Sequence, residues 1–249
     1  MIRIFDGNNY YRRELEQNPT GMAPRAMLAG VKPGDMWVWD GFNSNARRRE
    51  LFPGYKVGRE KPGANIYASF KLLQEVLTHS TAIQIQVPEY EADDVVATVA
   101  RRLAEQGHQV GIHSNDLDFL QLSAEFPRHV FCGCNPKIPA DLVRYYKVCV
   151  GDPSDKIPGI KGFGQKTWDG VDKTALKDAI HRWVAGELVP LDGLSKASLN
   201  WLEENLSQVA TYWKVVGFYE VPPDLIDQHT RIGKPNYAAA DARLKEFFL

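Results

Sequence analysis

Acidic residues follow four successive apolar runs of this sequence, at the points where short predicted strands end. They are Asp6, Asp40, Glu91, Asp93, Asp94, Asp116 and Asp118. Any one of them alone is better explained as a helix cap or a loop residue, because acids are favoured in both places. Seven carboxylates at one edge of a sheet would instead repel each other strongly unless cations lay among them. Oxygen ligands favour Mg²⁺ or Mn²⁺ over zinc, and so many acids indicate at least two ions, an arrangement suited to cleaving phosphodiester bonds.

The apolar runs before these acids have the length and composition of strands that are covered on both faces. They comprise residues 2–5, 36–39, 82–87 and 109–113, with a further candidate strand at 128–132. From residue 91 onward apolar residues recur at helical spacing as far as Leu103, and the pattern stops at Gln106-Gly107, a typical helix end. Residues 140–148 predict another helix. This alternation predicts an α/β fold with a central, mostly parallel sheet flanked by helices. Ligands of such sheets bind beyond the carboxyl ends of the strands.

Charged residues are segregated along the chain, although its 249 residues carry 30 Lys and Arg against 31 Asp and Glu. Basic residues bunch at 47–49, 56–61 and 156–166, whereas many of the acids belong to the strand-end set or lie at Asp152 and Asp155. Outside these acids the chain has a surplus of positive charge. That surplus suits a surface that binds DNA.

Two classes of protein are excluded by composition. No apolar run is long enough to span a membrane and the start carries no secretory segment, so we expect a cytoplasmic protein with no membrane partner. The three cysteines, Cys132, Cys134 and Cys149, form neither a disulfide framework nor a four-ligand zinc set. Cys132 and Cys134 could chelate a soft metal, but partly buried thiols at a strand end are the simpler interpretation.

Two further segments could contact a nucleic acid. Residues 157–167 contain three glycines ahead of a Lys-Thr pair, and glycines let backbone N–H groups approach a phosphate. A tight turn with solvated lysines has the same composition, and the spacing is not that of a P-loop. Residues 52–59 contain a Tyr, a Lys and an Arg, which could stack a base and bind a phosphate. Taken alone, the segment is better explained as a solvated loop with a packed Tyr.

The composition changes near residue 150, where prolines and glycines become dense. We therefore predict an α/β domain over residues 1–150 and an α-helical part over residues 151–249. Helical patterns lie around residues 174–183 and 195–216 of the second part. Residues 222–249 carry no motif that can be interpreted.

Three motifs together make the sequence resemble the 5′-nuclease, or flap endonuclease, family. This family includes stand-alone bacteriophage enzymes and the 5′-nuclease domain of bacterial DNA polymerase I. The motifs are EADD at 91–94, SNDLDFLQL at 114–122 and GDPSDKIPG at 151–159, and their order and spacing are highly specific. The resemblance runs from residue 2 to about residue 167. It implies a PIN-like sheet domain, a helical arch near residues 55–70 and a helix-three-turn-helix in the helical part.

The resemblance implies a role for each matching residue. Its metal-binding carboxylates would be Asp6, Asp40, Glu91, Asp93, Asp94, Asp116, Asp118, Asp152 and Asp155. Lys56 and Arg59 would be catalytic residues that contact the scissile phosphate, and Tyr55 would stack on a base. Arg12, or its neighbour Arg13, would contact the 5′ strand.

The resemblance also implies contacts with duplex DNA through the helix-three-turn-helix, where the family often binds K⁺. The DNA-binding residues of this motif would be Gly159, Gly162, Gly164, Lys166 and Thr167. Residues 168–172 interrupt the apolar pattern that the family continues here, so we expect the second helix of the motif to be broken or displaced.

The function implied by the resemblance is that of a Mg²⁺-dependent, structure-specific 5′ nuclease with a two-metal-ion mechanism, in which Mn²⁺ could replace Mg²⁺. Its partner would be DNA with 5′ flaps or 5′ ends at duplex junctions, bound by a monomer during replication or repair. Flap cleavage and processive 5′→3′ exonuclease activity stay open, and a stand-alone, bacteriophage-type enzyme is expected. The alternatives are a PIN-type ribonuclease, a phosphatase with an aspartyl nucleophile, and a catalytically weak DNA-binding module.

Overall fold

A computed structural model describes residues 1–18, 22–60, 63–134 and 137–247. Contacts divide the chain into two compact units. The first unit comprises Met1–Ser44, Glu60–Asn135 and Tyr219–Leu249, and the second comprises Asn45–Arg59 and Pro136–Phe218. This division differs from the predicted single boundary near residue 150. Residues 45–59 belong to the helical unit, and residues 219–249 belong to the first unit.

The elements agree in kind with the predicted alternation. The strands are β1 Ile2–Asp6, β2 Met36–Val38, β3 Ile83–Ile85, β4 Val110–His113, β5 Val130–Cys132 and β6 Thr230–Ile232. The helices are α1 Gly7–Gln17, α2 Ala23–Ala29, α3 Ala46–Leu51, α4 Ala64–Leu77, α5 Ala92–Glu105, α6 Leu120–Glu125, α7 Val143–Cys149, α8 Gln165–Gly170, α9 Lys173–Val184, α10 Lys196–Val216, α11 Pro223–Gln228 and α12 Tyr237–Phe247. Among the described residues, no helix is both long and apolar enough to cross a bilayer.

The first unit is built on one sheet with the strand order β5-β4-β1-β2-β3-β6. The strands from β5 to β3 run parallel to each other, and only β6 is antiparallel, pairing with β3. The predicted mostly parallel sheet is therefore confirmed. Strand β6 was not predicted, because three residues within a polar tail have no strand pattern of their own.

Aromatic side chains hold the sheet of the first unit to its helices. Phe5 of β1 stacks on Trp37 of β2 with ring centroids 4.5 Å apart, and Trp39 lies beside Trp37 in the same buried cluster. The apolar faces of α4 and α12 complete this cluster. Each large buried side chain stabilises the fold by about 1.5–3 kcal/mol.

The second unit is helical, and its core lies among α7, α8, α9 and α10. Trp183 and Leu202 are fully buried in it. Helix α10 bends at Asn205, whose backbone is not helical and whose side-chain amide donates to the Trp201 carbonyl at 2.7 Å. Helix α8 continues three residues past Thr167 and ends at Gly170, so the helix is broken at the end of residues 168–172, where a break was expected.

Candidate active site

Asp6 is the most constrained acid of the first unit. It ends β1 and caps α1, because its Oδ1 accepts the Asn9 N–H at 3.2 Å. Its Oδ2 accepts the hydroxyl of Ser114 at 2.9 Å, and only 3% of the residue is exposed. Burial and the nearby charges of Asp40 and Asp116 raise the pKa of Asp6 to about 7. The structure therefore brings these three acids together at the carboxyl ends of neighbouring strands, as the sequence predicted.

Ser114 organises the loop after β4. Its hydroxyl group donates to Asp6, and its hydroxyl oxygen accepts the Asp116 N–H at 3.1 Å. Asp116 in turn accepts the Asp118 N–H at 2.9 Å, which closes the turn that carries both acids. Sequence reasoning did not assign a role to Ser114, although it begins one of the three motifs.

The acids around α5 divide into different roles. Asp40 Oδ1 accepts the Ala92 N–H at 2.9 Å, which ties the end of β2 to the first turn of α5. Glu91 is buried at the start of this helix, and Asp93 is half-buried in its first turn. Asp94 is 1% exposed and accepts the Tyr219 N–H at 2.8 Å. One of its oxygens therefore binds the start of the last segment of the first unit, residues 219–249.

The donor type and the charge of these carboxylates fit a hard divalent cation. All are oxygen ligands, and a cation would offset both the burial and the repulsion that raise the pKa of Asp6. Within residues 1–18, 22–60, 63–134 and 137–247, no three Asp, Glu, His or Cys side chains are arranged to hold one ion. The acids are thus of a suitable type to bind a metal ion, but among the described residues they are not arranged as a complete set of ligands.

The two predicted metal-binding acids of the second unit, Asp152 and Asp155, lie in a tight turn, and each is near a lysine. Asp152 Oδ1 accepts the Ser154 N–H and hydroxyl at 2.9 and 2.6 Å, and its Oδ2 lies 2.9 Å from Lys147 Nζ. Burial opposes its charge, but Lys147 and these hydrogen bonds outweigh burial and lower the pKa of Asp152. Asp155 Oδ1 lies 3.8 Å from Lys56 Nζ. Their proposed role as metal ligands stays a prediction.

Tyr55 does not present a ring face to a base in this structure. It is 2% exposed and packs in the core of the helical unit, where its hydroxyl donates to Asp155 Oδ2 at 3.4 Å. The Lys56 ammonium lies 4.9 Å from its ring centroid. The expected role of Tyr55 in stacking on a base therefore does not fit this structure. The alternative interpretation, a Tyr packed in the core, does.

The basic run at 47–49 is not a uniform DNA surface. Arg48 is 4% exposed, and its guanidinium donates to the carbonyl oxygens of Val215 and Gly217, both at 3.0 Å. Arg49 donates to the Tyr55 carbonyl at 3.1 Å. Local sequence could not distinguish a buried arginine from its exposed neighbours.

The two candidate arginines for the 5′ strand have different surroundings. Arg12 is exposed and pairs with Glu16 within α1 at 3.2 Å. Arg13 is exposed as well but donates to Asn115 Oδ1 at 2.8 Å, beside Asp116. Arg13 therefore lies at the edge of the acidic cluster, and this geometry favours it over Arg12.

The helical arch and Arg59 are described only in part. Arg59 is exposed, and its N–H donates to the Lys56 carbonyl at 3.4 Å. The segment predicted as the arch includes residues 61 and 62, which lie outside the described residues, and α4 begins at Ala64.

The three glycines of residues 157–167 differ in backbone conformation and in the space around them. Gly159 has a φ of +74°, and a Cβ there would lie 2.6 Å from the Cys149 carbonyl oxygen, so the tight turn itself requires glycine. Gly162 has a φ of +80° and is exposed. Gly164 opens α8 with free space around it, ahead of the exposed Lys166 and the half-buried Thr167. Contact of these residues with DNA stays a prediction.

Comparison with known proteins finds similarity to one family. Residues 25–133 match the model of the 5′-3′ exonuclease N-terminal resolvase-like domain. The chain is similar to thermostable DNA polymerase I of Thermus thermophilus, with 34% identity over 172 residues, 63% of this chain and 20% of the polymerase. It is similar to DNA polymerase I of Geobacillus stearothermophilus, with 30% identity over 194 residues, 66% of this chain and 22% of the polymerase. The resemblance to the 5′-nuclease family is therefore confirmed. The chain spans about a fifth of the length of these polymerases.

Solved structures show the same fold. The T5 5′-exonuclease with bound zinc ions has a TM-score of 0.64 and 17% identity, covering 99% of this chain and 98% of that chain. A bacteriophage T5 flap endonuclease in a pseudo-enzyme-product complex with DNA and metal ions has a TM-score of 0.63 and 16% identity, covering 98% of this chain and 99% of that chain. At these identities the likeness concerns the fold, and it confirms the PIN-like sheet with its flanking helices.

Proposed function

We propose that this chain is a divalent-metal-dependent nuclease that hydrolyses DNA phosphodiester bonds at 5′ flaps or 5′ ends. The observation that carries the proposal is the buried Asp6 at the carboxyl end of β1, with the charges of Asp40 and Asp116 close enough to raise its pKa. A fold maintains such repulsion at a functional site more often than elsewhere. The family supports DNA as the substrate, since the similar T5 enzyme was crystallised with DNA and metal ions.

The residues of the first unit would hold and orient the metal ligands. When bound, Mg²⁺ ions would lower the pKa of a coordinated water and offset charge on the reacting phosphate. Asp6, Asp40 and Asp116 would hold the ions, and Ser114 would orient Asp6 through its hydroxyl. The same role as metal ligands is proposed for the other predicted carboxylates, which are Glu91, Asp93, Asp94, Asp118, Asp152 and Asp155.

Basic residues of the second unit would bind the DNA backbone. Lys56 is 3.8 Å from Asp155, a loose pair whose carboxylate a phosphate could replace, and Arg59 is exposed. Lys166 and Thr167 lie at the start of α8, where a duplex backbone could approach the free space around Gly164. A K⁺ ion at this turn, and action as a monomer, belong to the same proposal.

The direct test is cleavage of a labelled duplex with a 5′ flap, in Mg²⁺ and in EDTA, by wild type and Asp116→Asn. Cutting near the flap junction should require Mg²⁺ and should fall at least about 100-fold in the variant, because a metal ligand is lost. The matched control is Asp192→Asn, which alters an exposed acid and should cut like wild type. Binding of the flap without cutting in Mg²⁺ or Mn²⁺ would instead indicate a DNA-binding module, and cleavage of RNA alone a PIN-type ribonuclease.

A second prediction separates the two arginines of α1. Arg13→Ala should weaken binding of the 5′-flap DNA by about 3–10-fold and reduce the slope of log Kd against log salt by about 1, as expected for one lost phosphate contact. Arg12→Ala should change binding less, because Arg12 is paired with Glu16 on its own helix. Fluorescence anisotropy at several salt concentrations measures both variants. A larger effect of Arg12→Ala would indicate that Arg12, and not Arg13, contacts the 5′ strand.

A further inference from the structure

Two cysteines lie beside the acidic cluster, and the proposed chemistry does not use them. Cys132 ends β5, and Cys134 follows two residues later. Alternate residues of an extended chain point to the same side, and their sulfur atoms lie 2.9 Å apart. Both side chains are half-buried, whereas Gly133 between them is exposed. The pair is therefore in contact and accessible at the edge of the sheet.

Cys134 also contacts the loop that carries two of the acids. Cys132 pairs with Ile112 in the register of β5 and β4, which places Cys134 near Ser114. The Cys134 thiol donates to the carbonyl oxygens of Ser114 and Asp116, at 3.4 and 3.2 Å. The same Ser114 hydrogen-bonds to Asp6 and to the Asp116 amide. One thiol proton thus helps to position the loop on which Asp116 depends.

We propose that Cys132 and Cys134 are a thiol modification site that forms a reversible disulfide and so alters the loop of Ser114 and Asp116. The sulfur atoms are already in contact at 2.9 Å, against about 2.05 Å in a disulfide. Cys149, the third cysteine, is fully buried in the helical unit and is not part of the site.

The oxidant is a small-molecule disulfide, such as oxidised glutathione. The Cys132 thiolate attacks one sulfur of this disulfide, forms a mixed disulfide and releases one glutathione thiolate. Cys134 then loses its proton and attacks the Cys132 sulfur, which forms the intramolecular bond and releases the second glutathione. Overall, the two cysteines lose two protons and two electrons, and the disulfide oxidant becomes two thiols.

The expected consequence is loss of a hydrogen-bond donor at the loop. A disulfide sulfur has no hydrogen, so the Ser114 and Asp116 carbonyl oxygens lose the donation from Cys134. The loop then has one restraint fewer, and metal-dependent cleavage should fall. This last step rests on the proposed function, whereas the disulfide itself does not.

The test treats the full chain with oxidised glutathione, alkylates the remaining thiols and maps them by mass spectrometry. We expect a disulfide between Cys132 and Cys134, with Cys149 still reduced. Cleavage of the flap substrate should fall several-fold and return after dithiothreitol. The matched variant Cys134→Ser keeps a hydroxyl donor beside the loop and cannot form the bond, so its cleavage should not respond to the oxidant.

Each outcome is decisive. Free thiols at both positions after treatment, or a separate glutathione on each, would overturn the site. A mapped disulfide with unchanged cleavage, or an equal loss in Cys134→Ser, would overturn its effect on the loop. Absence of cleavage by the reduced wild type would contradict the proposed function instead, while the thiol map would still decide whether the disulfide forms.

Discussion

Replacing Asp6 by asparagine should abolish metal-dependent cleavage and should stabilise the metal-free protein above pH 7. Asparagine is nearly the same size and also caps helices well. Its Oδ1 can still accept the Asn9 N–H, and its amide can donate to the Ser114 hydroxyl. The fold therefore keeps its hydrogen bonds but loses the negative charge that a divalent ion would bind.

The gain in stability should follow pH in a defined direction. The pKa of Asp6 is about 7 in the folded chain, against 3.8 for an ordinary Asp, so the folded state binds the proton more tightly. Wild-type stability is therefore lowered as the pH rises from about 4 to about 7, and the full penalty is present above that range. The asparagine variant avoids it. The difference should grow from near zero at pH 4 to on the order of 2–4 kcal/mol above pH 7.

Urea unfolding in EDTA at several pH values measures this difference. Asp192→Asn is the control, because that acid is exposed and no burial penalty is removed. Added Mg²⁺ should stabilise wild type more than Asp6→Asn, since only the wild type keeps the full set of ligands. Equal stability of the two proteins at pH 8, or cleavage by the variant, would contradict the role given to Asp6.

Replacing Arg48 by leucine should cost about 2–5 kcal/mol of the free energy of unfolding. The buried guanidinium donates to Val215, in the last turn of α10, and to Gly217 just after it. The last carbonyl groups of a helix have no partner within that helix, and a cation is favoured there. Leucine would leave these two carbonyl oxygens without the donors that now satisfy them. Arg48→Lys should lose less, because it keeps a charge and one donor group.

Tryptophan fluorescence during urea unfolding reports on this change, since four of the six tryptophans lie in the helical unit. The control is Arg102→Leu, which removes an exposed arginine from α5. It should change stability by less than about 0.5 kcal/mol. A loss below about 1 kcal/mol in Arg48→Leu would show that water or other donors replace the arginine.

The sheet and its acidic edge could be predicted because both depend on short stretches of sequence. Each of the first strands is an apolar run, and acids follow it within a few residues. Helix α5 was predicted to begin at residue 91 and to end near residue 106, and it spans Ala92–Glu105. Here the apolar spacing and the terminal Gln106-Gly107 agree with the packing. Strand β6 lacks such a pattern and forms because β3 offers it an unpaired edge.

Local patterns were enough to predict the α/β class, the place of the acids at the strand ends and the resemblance to 5′ nucleases. The different roles of residues of the same type became visible in the folded chain. Asp94 anchors the Tyr219 amide, whereas Asp6 lies among like charges. Arg48 is buried within a run of basic residues, and Tyr55 is buried in a segment that could also have been a base-stacking loop. The physical reason is that strand and helix patterns are local, while burial and hydrogen-bond partners depend on residues more than a hundred positions apart.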